Sequence, residues 1–310
     1  MPVRNILISG ATGFVGQKLA YKLAAAGHNV SAFHRDRRPE ASGDIAWIGI
    51  GDLASTRIDP AIGSGIDVFI NLAAPIRPTS TDPGGLQSKA AAIAGNVSDF
   101  IAGAGIRRVI VMSSIAARLA EEDPAHARRY GVEKLAADRI FQERLNDRHH
   151  VVFLRPPAIY GPAMQGSIHT LAALVRKGLP IPLGAATEPR HYLSAANLCD
   201  LVETIVQSED ERWAQAAGKF FEPSDGQAVA TRKLVQMMGS AMGRRARMLP
   251  VPVMLLRALG AVTGRSEMIS GAIDRLDVAA PEELERHFGW RPIEQMPESL
   301  AFLANAVSRA

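Results

Sequence analysis

Residues 5–16 read Asn5-Ile-Leu-Ile-Ser-Gly10-Ala-Thr-Gly13-Phe-Val-Gly16, an apolar run followed by three regularly spaced glycines. Ile6–Ser9 is predicted to be a strand, and residues 17–26 have the pattern of a helix. Glycines at these positions permit a tight turn, close approach of the backbone to a pyrophosphate, and close packing of helix on strand. The start of the helix adds free N–H groups and a positive dipole end. We therefore predict a dinucleotide-binding loop whose contacts come from Gly10, Thr12, Gly13, Phe14, Val15 and Gly16.

Short apolar runs alternate with longer helical stretches through the first half of the chain. The runs are Ile6–Ser9, Val30–Phe33, Ile45–Ile48, Val68–Asn71, Val109–Met112 and Val151–Leu154. This alternation is typical of βαβ units whose parallel sheet is covered by helices on both faces. Phe220–Phe221 is predicted to be a short strand that returns to the same sheet.

The predicted fold class is α/β, a doubly wound parallel sheet with a smaller, mainly helical domain that covers the substrate. Residues 1–160 and about 190–225 are assigned to the dinucleotide-binding domain. Residues about 161–189 and 226–310 are assigned to the substrate-binding domain, because prolines and glycines become frequent after Arg155 and the end of the chain has a helical pattern.

Composition narrows the class of protein. The 310 residues are 47% hydrophobic, enough for a substantial core, and the single cysteine, Cys199, cannot form an internal disulfide. The first residues lack the pattern of a secretory signal, so a cytoplasmic location is expected. The net charge of +4 comes with only 5% aromatic residues and scattered arginines, which favours a small phosphate-bearing ligand over nucleic acid.

The longest apolar stretch, Val251 to Val262, contains Pro252 and Arg257 and is too short to cross a bilayer. We interpret it as a core helix, although it would also suit an apolar substrate. No membrane partner and no metal site are predicted.

The end of the second strand bears on the choice of cofactor. A carboxylate normally binds the adenosine ribose of NAD at this point, but the chain has His34 there, followed by Arg35. Cationic side chains suit a 2′-phosphate and favour NADP, whereas a small shift in register would bring Asp36 to the ribose and restore NAD. Arg37 and Arg38 extend the same basic loop, which could also be simply solvated.

Two further segments are predicted to line the cofactor. Asp52 and Leu53 follow the third strand and could contact the adenine. Leu72, Ala73 and Ala74 follow the fourth strand, where small side chains would let the backbone lie against the dinucleotide.

Tyr130 and Lys134 are the candidate catalytic pair. They lie four residues apart in a segment with helical periodicity, so both side chains project from one face of the helix. A nearby ammonium stabilises a tyrosine phenolate, and the lysine could also bind the nicotinamide ribose. Ser113 and Ser114 follow the fifth strand, at the sheet edge where ligands bind in open α/β sheets. Ser114 is the preferred candidate for donating a hydrogen bond to a substrate oxygen.

The chain resembles the extended short-chain dehydrogenases/reductases, within them the NAD-dependent epimerase/dehydratase group that acts on nucleotide sugars. The resemblance covers nearly the whole chain. It rests on the glycine loop, the serine pair, the Tyr130/Lys134 motif, and the segments Arg155-Pro-Pro-Ala-Ile-Tyr-Gly-Pro162, Pro189-Arg-His-Tyr-Leu-Ser-Ala-Ala-Asn-Leu198 and Phe288-Gly-Trp-Arg-Pro292. More narrowly, the chain is similar to UDP-glucose 4-epimerase-like enzymes and to 4-ketoreductases of UDP-sugars.

This resemblance implies a Rossmann-type fold and a catalytic set of Ser114, Tyr130 and Lys134. It implies that Pro157 lies in the cofactor site and that Arg190 binds the nucleotide diphosphate, while Gln165, Ser167 and His169 could line the sugar pocket. It also implies a homodimer through a four-helix interface. The chain departs from the family pattern at Arg118, where tyrosine is frequent, at Pro157, where asparagine is frequent, and at Asn197, where aspartate is frequent.

Three functions remain open from the sequence. The first is redox chemistry on a UDP-sugar, as a 4-epimerase that regenerates its cofactor or as a 4-ketoreductase that consumes NADPH. The second is the reduction of a non-sugar carbonyl compound. The third is a non-catalytic dinucleotide-binding protein, for which the retention of Ser114, Tyr130 and Lys134 has no purpose.

Overall fold

The structure is a computed structural model that describes residues 2–36 and 43–305. Its strands in chain order are β1 (Asn5–Ser9), β2 (Asn29–His34), β3 (Ile45–Gly49), β4 (Val68–Asn71), β5 (Arg108–Met112), β6 (His150–Leu154), β7 (Ala158–Tyr160), β8 (Tyr192–Ser194) and β9 (Phe220–Phe221). Arg37 and Arg38, which extend the predicted basic loop, lie outside the described residues.

The α-helices begin at the glycine loop and continue to the end of the described chain. They are α1 (Phe14–Ala25), α2 (Lys89–Ala104), α3 (Ile115–Glu122), α4 (Arg129–Arg144), α5 (Gly166–Arg176), α6 (Ala195–Gln207), α7 (Asp210–Ala216), α8 (Thr231–Ala241), α9 (Val253–Thr263), α10 (Ser266–Ile273), α11 (Glu282–Phe288), α12 (Met296–Ser299) and α13 (Phe302–Asn305). Within the described ranges, none of these helices has the length and apolar character needed to cross a membrane.

Seven parallel strands form the main sheet in the order β3-β2-β1-β4-β5-β6-β9. The predicted doubly wound α/β class is confirmed, and Phe220–Phe221 joins the sheet beside β6 as predicted. The order reverses between β1 and β4, where Ser9 is paired with Asn71. Asn71 is in turn paired with Val111, so the carboxyl ends of β1, β4 and β5 meet at one edge. Ligands of open α/β sheets bind at such a reversal.

One face of the sheet is held by an aromatic and aliphatic core. Phe33, Phe69 and Phe100 are buried with ring centroids 5.7–6.3 Å apart, so β2, β4 and α2 share one packed layer. Edge-to-face pairs of this kind add to the free energy gained from the buried area. Leu53 belongs to the same buried cluster.

The chain forms two compact units. Unit 1 comprises Met1–Pro156, Cys199–Pro223 and Ala280–Arg291, and unit 2 comprises Pro157–Leu198, Ser224–Ala279 and Pro292–Ala310. The segment Ala280–Arg291, which the sequence placed with the substrate domain, belongs to unit 1 because Arg212 of α7 donates a hydrogen bond to the carbonyl of His287 at the end of α11.

Unit 2 contains the parallel pair β7 and β8, with Ala158 opposite Tyr192. The prediction that Val251 to Val262 forms a core helix is wrong. The helix α9 does form there, but only Leu256 and Gly260 are buried, while Met254 and Val262 are 83% and 87% exposed.

Candidate active site

The glycine loop follows β1 and leads into α1. Two of its positions have no room for a side chain. Gly10 has φ +70°, and a Cβ there would lie 2.7 Å from the Ala73 nitrogen. A Cβ on Gly16 would lie 2.2 Å from the Gly10 carbonyl oxygen. These two positions are therefore fixed by packing of the protein on itself.

Gly13 differs, because its outer side is open. A Cβ there would meet only the Gly10 carbonyl oxygen, at 3.2 Å. Gly13 is the N-cap residue of α1, and within the described ranges no side chain caps this helix, so the first N–H groups of α1, including those of Phe14 and Val15, have no capping acceptor there. Thr12 is exposed on the same turn. An open glycine before uncapped N–H groups fits the pyrophosphate of a dinucleotide.

The end of β2 carries the predicted cofactor-selecting residues. The His34 ring lies against Gly49 of β3, since a Cβ on Gly49 would be 3.2 Å from it, and it packs edge-on to Trp47. Arg35 is exposed, and its Nε donates to Asp36 Oδ2 at 2.7 Å. This hydrogen bond raises the pKa of Arg35. The positive charge at this point is thus balanced by the neighbouring carboxylate.

Asp52 and Leu53 both contact other parts of the protein, Asp52 through hydrogen bonds of its carboxylate and Leu53 by packing. Asp52 Oδ1 accepts from the Ala54 N–H at 3.1 Å and Oδ2 accepts from Lys89 Nζ at 3.2 Å. The Ala54 hydrogen bond, followed by that of Lys89, lowers the pKa of Asp52. Leu53 packs into the core, and its carbonyl accepts from Asn96 Nδ2 at 2.8 Å.

A small cavity in unit 1 brings several predicted residues together. Its lining includes Ala73, Ala74 and Lys134, together with Asn71 and Ser113. Leu72, at the start of the same segment, donates its N–H to the Ser9 carbonyl at 3.1 Å. The Ser9 hydroxyl donates to Asn71 Oδ1 at 2.6 Å, which ties the ends of β1 and β4 together.

Tyr130 and Lys134 lie on the first turns of α4, as their spacing predicts. Lys134 Nζ lies 6.0 Å from the centroid of the Tyr130 ring and donates to the Met112 carbonyl, at the end of β5, at 3.3 Å. Lys134 is 6% exposed and Tyr130 is half-buried. The buried ammonium therefore lies between the end of β5 and the half-buried Tyr130.

The two serines after β5 have different surroundings. Ser114 is the N-cap of α3 and its Oγ accepts from the Ala116 N–H at 3.2 Å, while its side chain stays half-buried. Ser113 is buried and donates to Asp138 Oδ2 at 2.8 Å. Gly131 lets α4 approach this corner, because a Cβ there would be 2.4 Å from the Ala116 carbonyl oxygen.

A buried ion pair that the sequence did not single out lies behind this corner. Asp138 Oδ2 accepts from Arg155 Nε at 3.1 Å and from the terminal nitrogen of Arg155 at 3.0 Å, and the guanidinium also stacks 3.7 Å above the Phe220 ring. Burial raises the pKa of Asp138, although Arg155 acts in the opposite direction. Asp138 lies four residues beyond Lys134, so the helical spacing of the Tyr130/Lys134 motif was a signal that could have found it.

Glu133 is a second residue that the sequence did not single out. It lies between Tyr130 and Lys134 in the sequence, and its side chain is buried. Its carboxylate accepts hydrogen bonds from the N–H groups of Thr79 and Ser80 at 2.7 and 2.8 Å. It therefore holds the loop after β4 against α4. Arg118, a departure from the family pattern, donates from Nε to the buried Glu222 at 2.6 Å.

The remaining predicted residues lie in unit 2. Pro157 is buried just before β7, and Gln165 is the exposed N-cap residue of α5, followed by exposed Ser167 and His169. Arg190 is buried, and its guanidinium donates to the Asp274 carbonyl. Its backbone also exchanges hydrogen bonds with Val229. The structure thus surrounds Arg190 with partners of its own unit.

Comparison with known proteins gives a family for this chain. The sequence pattern of the NAD dependent epimerase/dehydratase family matches residues 6–216. This chain belongs to that family. As a member of the NAD dependent epimerase/dehydratase family it is an NAD(P)-dependent enzyme of the short-chain dehydrogenase/reductase type.

Two relatives of this family member have names that indicate different activities. The UDP-glucose 4-epimerase of Vibrio cholerae is 27% identical over 325 residues, which cover 99% of this chain and 96% of that protein. The 2-alkyl-3-oxoalkanoate reductase of Stenotrophomonas maltophilia (strain K279a) is 26% identical over 265 residues, which cover 77% of this chain and 76% of that protein.

Solved structures show the same fold. The UDP-glucuronic acid 4-epimerase from Bacillus cereus in complex with NAD superimposes with a TM-score of 0.75, at 15% identity, over 98% of this chain and 96% of that chain. At this identity the similarity establishes the Rossmann-type architecture of the epimerase/dehydratase family and nothing finer.

Proposed function

We propose that this chain is an NAD-dependent UDP-sugar 4-epimerase that uses Ser114, Tyr130 and Lys134. The observation that carries the proposal is the position of two side chains of α4. Lys134 Nζ lies 6.0 Å from the centroid of the Tyr130 ring, and Lys134 lines a cavity together with Ala73 and Ala74. The full-length similarity to a UDP-glucose 4-epimerase supports the choice of substrate class.

The roles follow from the chemistry of the side chains. Bound NAD would supply a reversible hydride acceptor. The Tyr130 phenolate would take the proton of the sugar hydroxyl that is oxidised and later return it to the ketone oxygen. The Lys134 ammonium would stabilise that phenolate, and the Ser114 hydroxyl would donate a hydrogen bond to the reacting oxygen.

NAD is the proposed cofactor rather than NADP. The open side of Gly13 and the uncapped start of α1 fit a pyrophosphate, which both cofactors share. The ion pair between Arg35 and Asp36 places a carboxylate beside the cation that would otherwise suit a 2′-phosphate. His34 and Asp36 would then contact the ribose, and Asp52 with Leu53 the adenine.

We propose different roles for the residues of the two units. Unit 1 contains every residue proposed here for chemistry and almost every residue proposed for the cofactor. We assign UDP-sugar binding to unit 2, with Gln165 and Arg190 as the residues proposed to recognise the sugar nucleotide and Pro157 as the one cofactor contact from this unit.

The test is an assay of purified protein with UDP-glucose, UDP-galactose and their N-acetyl analogues, each with NAD, NADH or NADPH. We expect interconversion of the 4-epimers without net consumption of cofactor, and tighter binding of NADH than of NADPH. Tyr130→Phe is expected to reduce kcat by about 10²- to 10⁴-fold, as removal of a proton-transfer group does. The control is Tyr21→Phe, because the buried Tyr21 hydroxyl has no hydrogen-bond partner among the described residues.

Three results would contradict the proposal, each in a distinct way. Net oxidation of NADPH by a 4-keto sugar would make the chain a ketoreductase. Turnover of a 3-oxoalkanoate without UDP-sugar binding would favour the activity named for the second relative. Full activity in Tyr130→Phe would remove Tyr130 from the mechanism.

A further inference from the structure

The outward side of α9 in unit 2 is apolar. The two buried residues of this helix, Leu256 and Gly260, lie one turn apart and define its inward side. At about 100° per residue, Met254, Ala258 and Val262 point the opposite way, with Leu255 and Leu259 beside them. Met254, Leu255, Leu259 and Val262 are 83%, 52%, 49% and 87% exposed. We call Met254, Leu255, Ala258, Leu259 and Val262 together the apolar face of α9.

The apolar face is held outward by specific packing on the inward side. A Cβ on Gly260 would lie 2.9 Å from Ile269 and 3.2 Å from the Ser266 Cα, so the backbone of α9 lies directly against α10. Gly264 ends α9 in the left-handed conformation, and Arg257 pairs with Asp274 at 2.7 Å. Rotation of the helix to bury the apolar face would break these contacts.

The chain leading into α9 is basic, whereas α10 carries the exposed Glu267 and is followed by Asp274, which pairs with Arg257. Residues 226–266 contain seven of the 35 basic residues and none of the 31 acidic residues, which leaves a net charge of −3 for the rest of the chain. Arg244, Arg245 and Arg247 are exposed before the helix, and Arg265 is exposed directly after it. The guanidinium groups of Arg244 and Arg247 each donate one hydrogen bond to a backbone carbonyl, that of Arg176 and that of Gly178, and keep their remaining N–H groups for other acceptors.

We propose that, against the sequence-based prediction of no membrane partner, the apolar face of α9 and the arginines that flank this helix in the chain adsorb to the surface of an anionic lipid bilayer. Apolar side chains on one side of a helix enter the boundary between headgroups and acyl chains, and arginines bind the lipid phosphates. Eleven helical residues span about 16 Å, too short to cross, so the helix lies in the plane of the interface. None of these residues is among those proposed for catalysis.

A second copy of the chain fits this surface less well. Pairing of two apolar faces about a two-fold axis would bring the same basic residues of both copies together, and like charges across an interface oppose association. An anionic bilayer instead supplies both an apolar layer and opposite charge. Charge complementarity therefore selects the lipid surface.

The test is co-sedimentation of the full chain with vesicles of phosphatidylcholine alone, or of phosphatidylcholine and phosphatidylglycerol in about equal parts. We expect binding to the anionic vesicles, little binding to the neutral ones, and weaker binding as NaCl rises from about 0.05 M to about 0.5 M. The double variant Met254→Ser/Val262→Ser is expected to partition at least about tenfold more weakly. Arg245→Glu/Arg247→Glu is expected to do the same.

The matched control is Val3→Ser/Ile293→Ser, two apolar side chains that are 62% and 59% exposed outside this region. It should bind like the native chain, and all variants should keep the native unfolding temperature because the changed side chains are exposed. Absence of binding to anionic vesicles at low salt would overturn the proposal. So would binding that the serine variant leaves unchanged, or a dimer in sedimentation velocity that the serine variant dissociates.

Discussion

Asn197 shows how one amide fits where the family pattern often has a carboxylate. Its Nδ2 donates to Asp225 Oδ1 at 2.7 Å and to the Glu294 carbonyl at 2.9 Å, while its Oδ1 accepts from the N–H groups of Ile293 and Glu294 at 3.0 Å. The carboxylate of this cluster is Asp225, which also accepts from the Tyr160 hydroxyl at 2.7 Å. The residue departs from the pattern because its neighbours need both a donor and an acceptor.

We expect Asn197→Asp to reduce the free energy of unfolding by about 2–4 kcal/mol at pH 7. The change removes two donated hydrogen bonds and places a second carboxylate against the buried Asp225. The loss should shrink as the pH falls, because protonation restores a neutral donor at this position. Urea unfolding at pH 7 and pH 5 measures both effects, with Asn29→Asp, at an exposed position, as the control. Equal stability of Asn197→Asp and native protein at pH 7 would contradict the prediction that this cluster needs a neutral amide donor at position 197.

At the scale of elements, the approach of α4 to α3 sets the geometry around Tyr130. Gly131 follows Tyr130 and is fully covered by α3, with the Ala116 carbonyl and the Ala120 side chain as its nearest neighbours. Ser114 caps the same end of α3. One glycine therefore lets two of the proposed catalytic residues share a corner.

We expect Gly131→Ala to lower kcat by more than about tenfold and the free energy of unfolding by about 1–3 kcal/mol. The new Cβ would lie 2.4 Å from the Ala116 carbonyl oxygen, so the start of α3 must move. Gly95→Ala in α2 is the matched control, since a Cβ there makes an ordinary 3.5 Å contact with Arg144. That change should leave kcat unaltered and stabilise the helix by up to about 1 kcal/mol. Native activity in Gly131→Ala would mean that the corner adapts without cost.

At the scale of the whole molecule, the buried His28 and the partly buried His150 and His191 make stability depend on pH. Burial lowers the pKa of His28, His150 and His191 below the ordinary value. Their neutral forms stabilise the folded state above about pH 6.5, and this contribution is lost as the pH falls through their lowered pKa values. The raised pKa values of the buried Asp138 and Asp225 act in the opposite direction on acidification.

We expect the native chain to lose stability between pH 7 and pH 5, and the His28→Gln variant to lose less. The difference isolates His28 because the carboxyls are common to both proteins. Thermal unfolding across this pH range measures it, and His126→Gln, at an exposed position, is the control. A parallel pH dependence in native and His28→Gln proteins would show that His28 titrates alike in both states.

The sequence by itself determined the sheet, the glycine loop and the α4 pair. Strand alternation and the Gly10/Gly13/Gly16 spacing are local patterns, so they predicted β1 to β6, the return of β9 and the placement of Tyr130 and Lys134 on one helix face. These features depend on neighbours along the chain, which is why periodicity and spacing reveal them.

Only the tertiary structure decided which groups meet across the fold. It brought Asp138 into contact with Arg155, Gly131 with Ala116 and Asn197 with Asp225. Each of these contacts joins different segments of the chain, which local sequence patterns do not reveal. It also turned the apolar side of α9 to solvent, where the sequence predicted a core helix. An apolar stretch has the same composition whether it is buried or exposed, and only its packing on α10 determines which side faces outward.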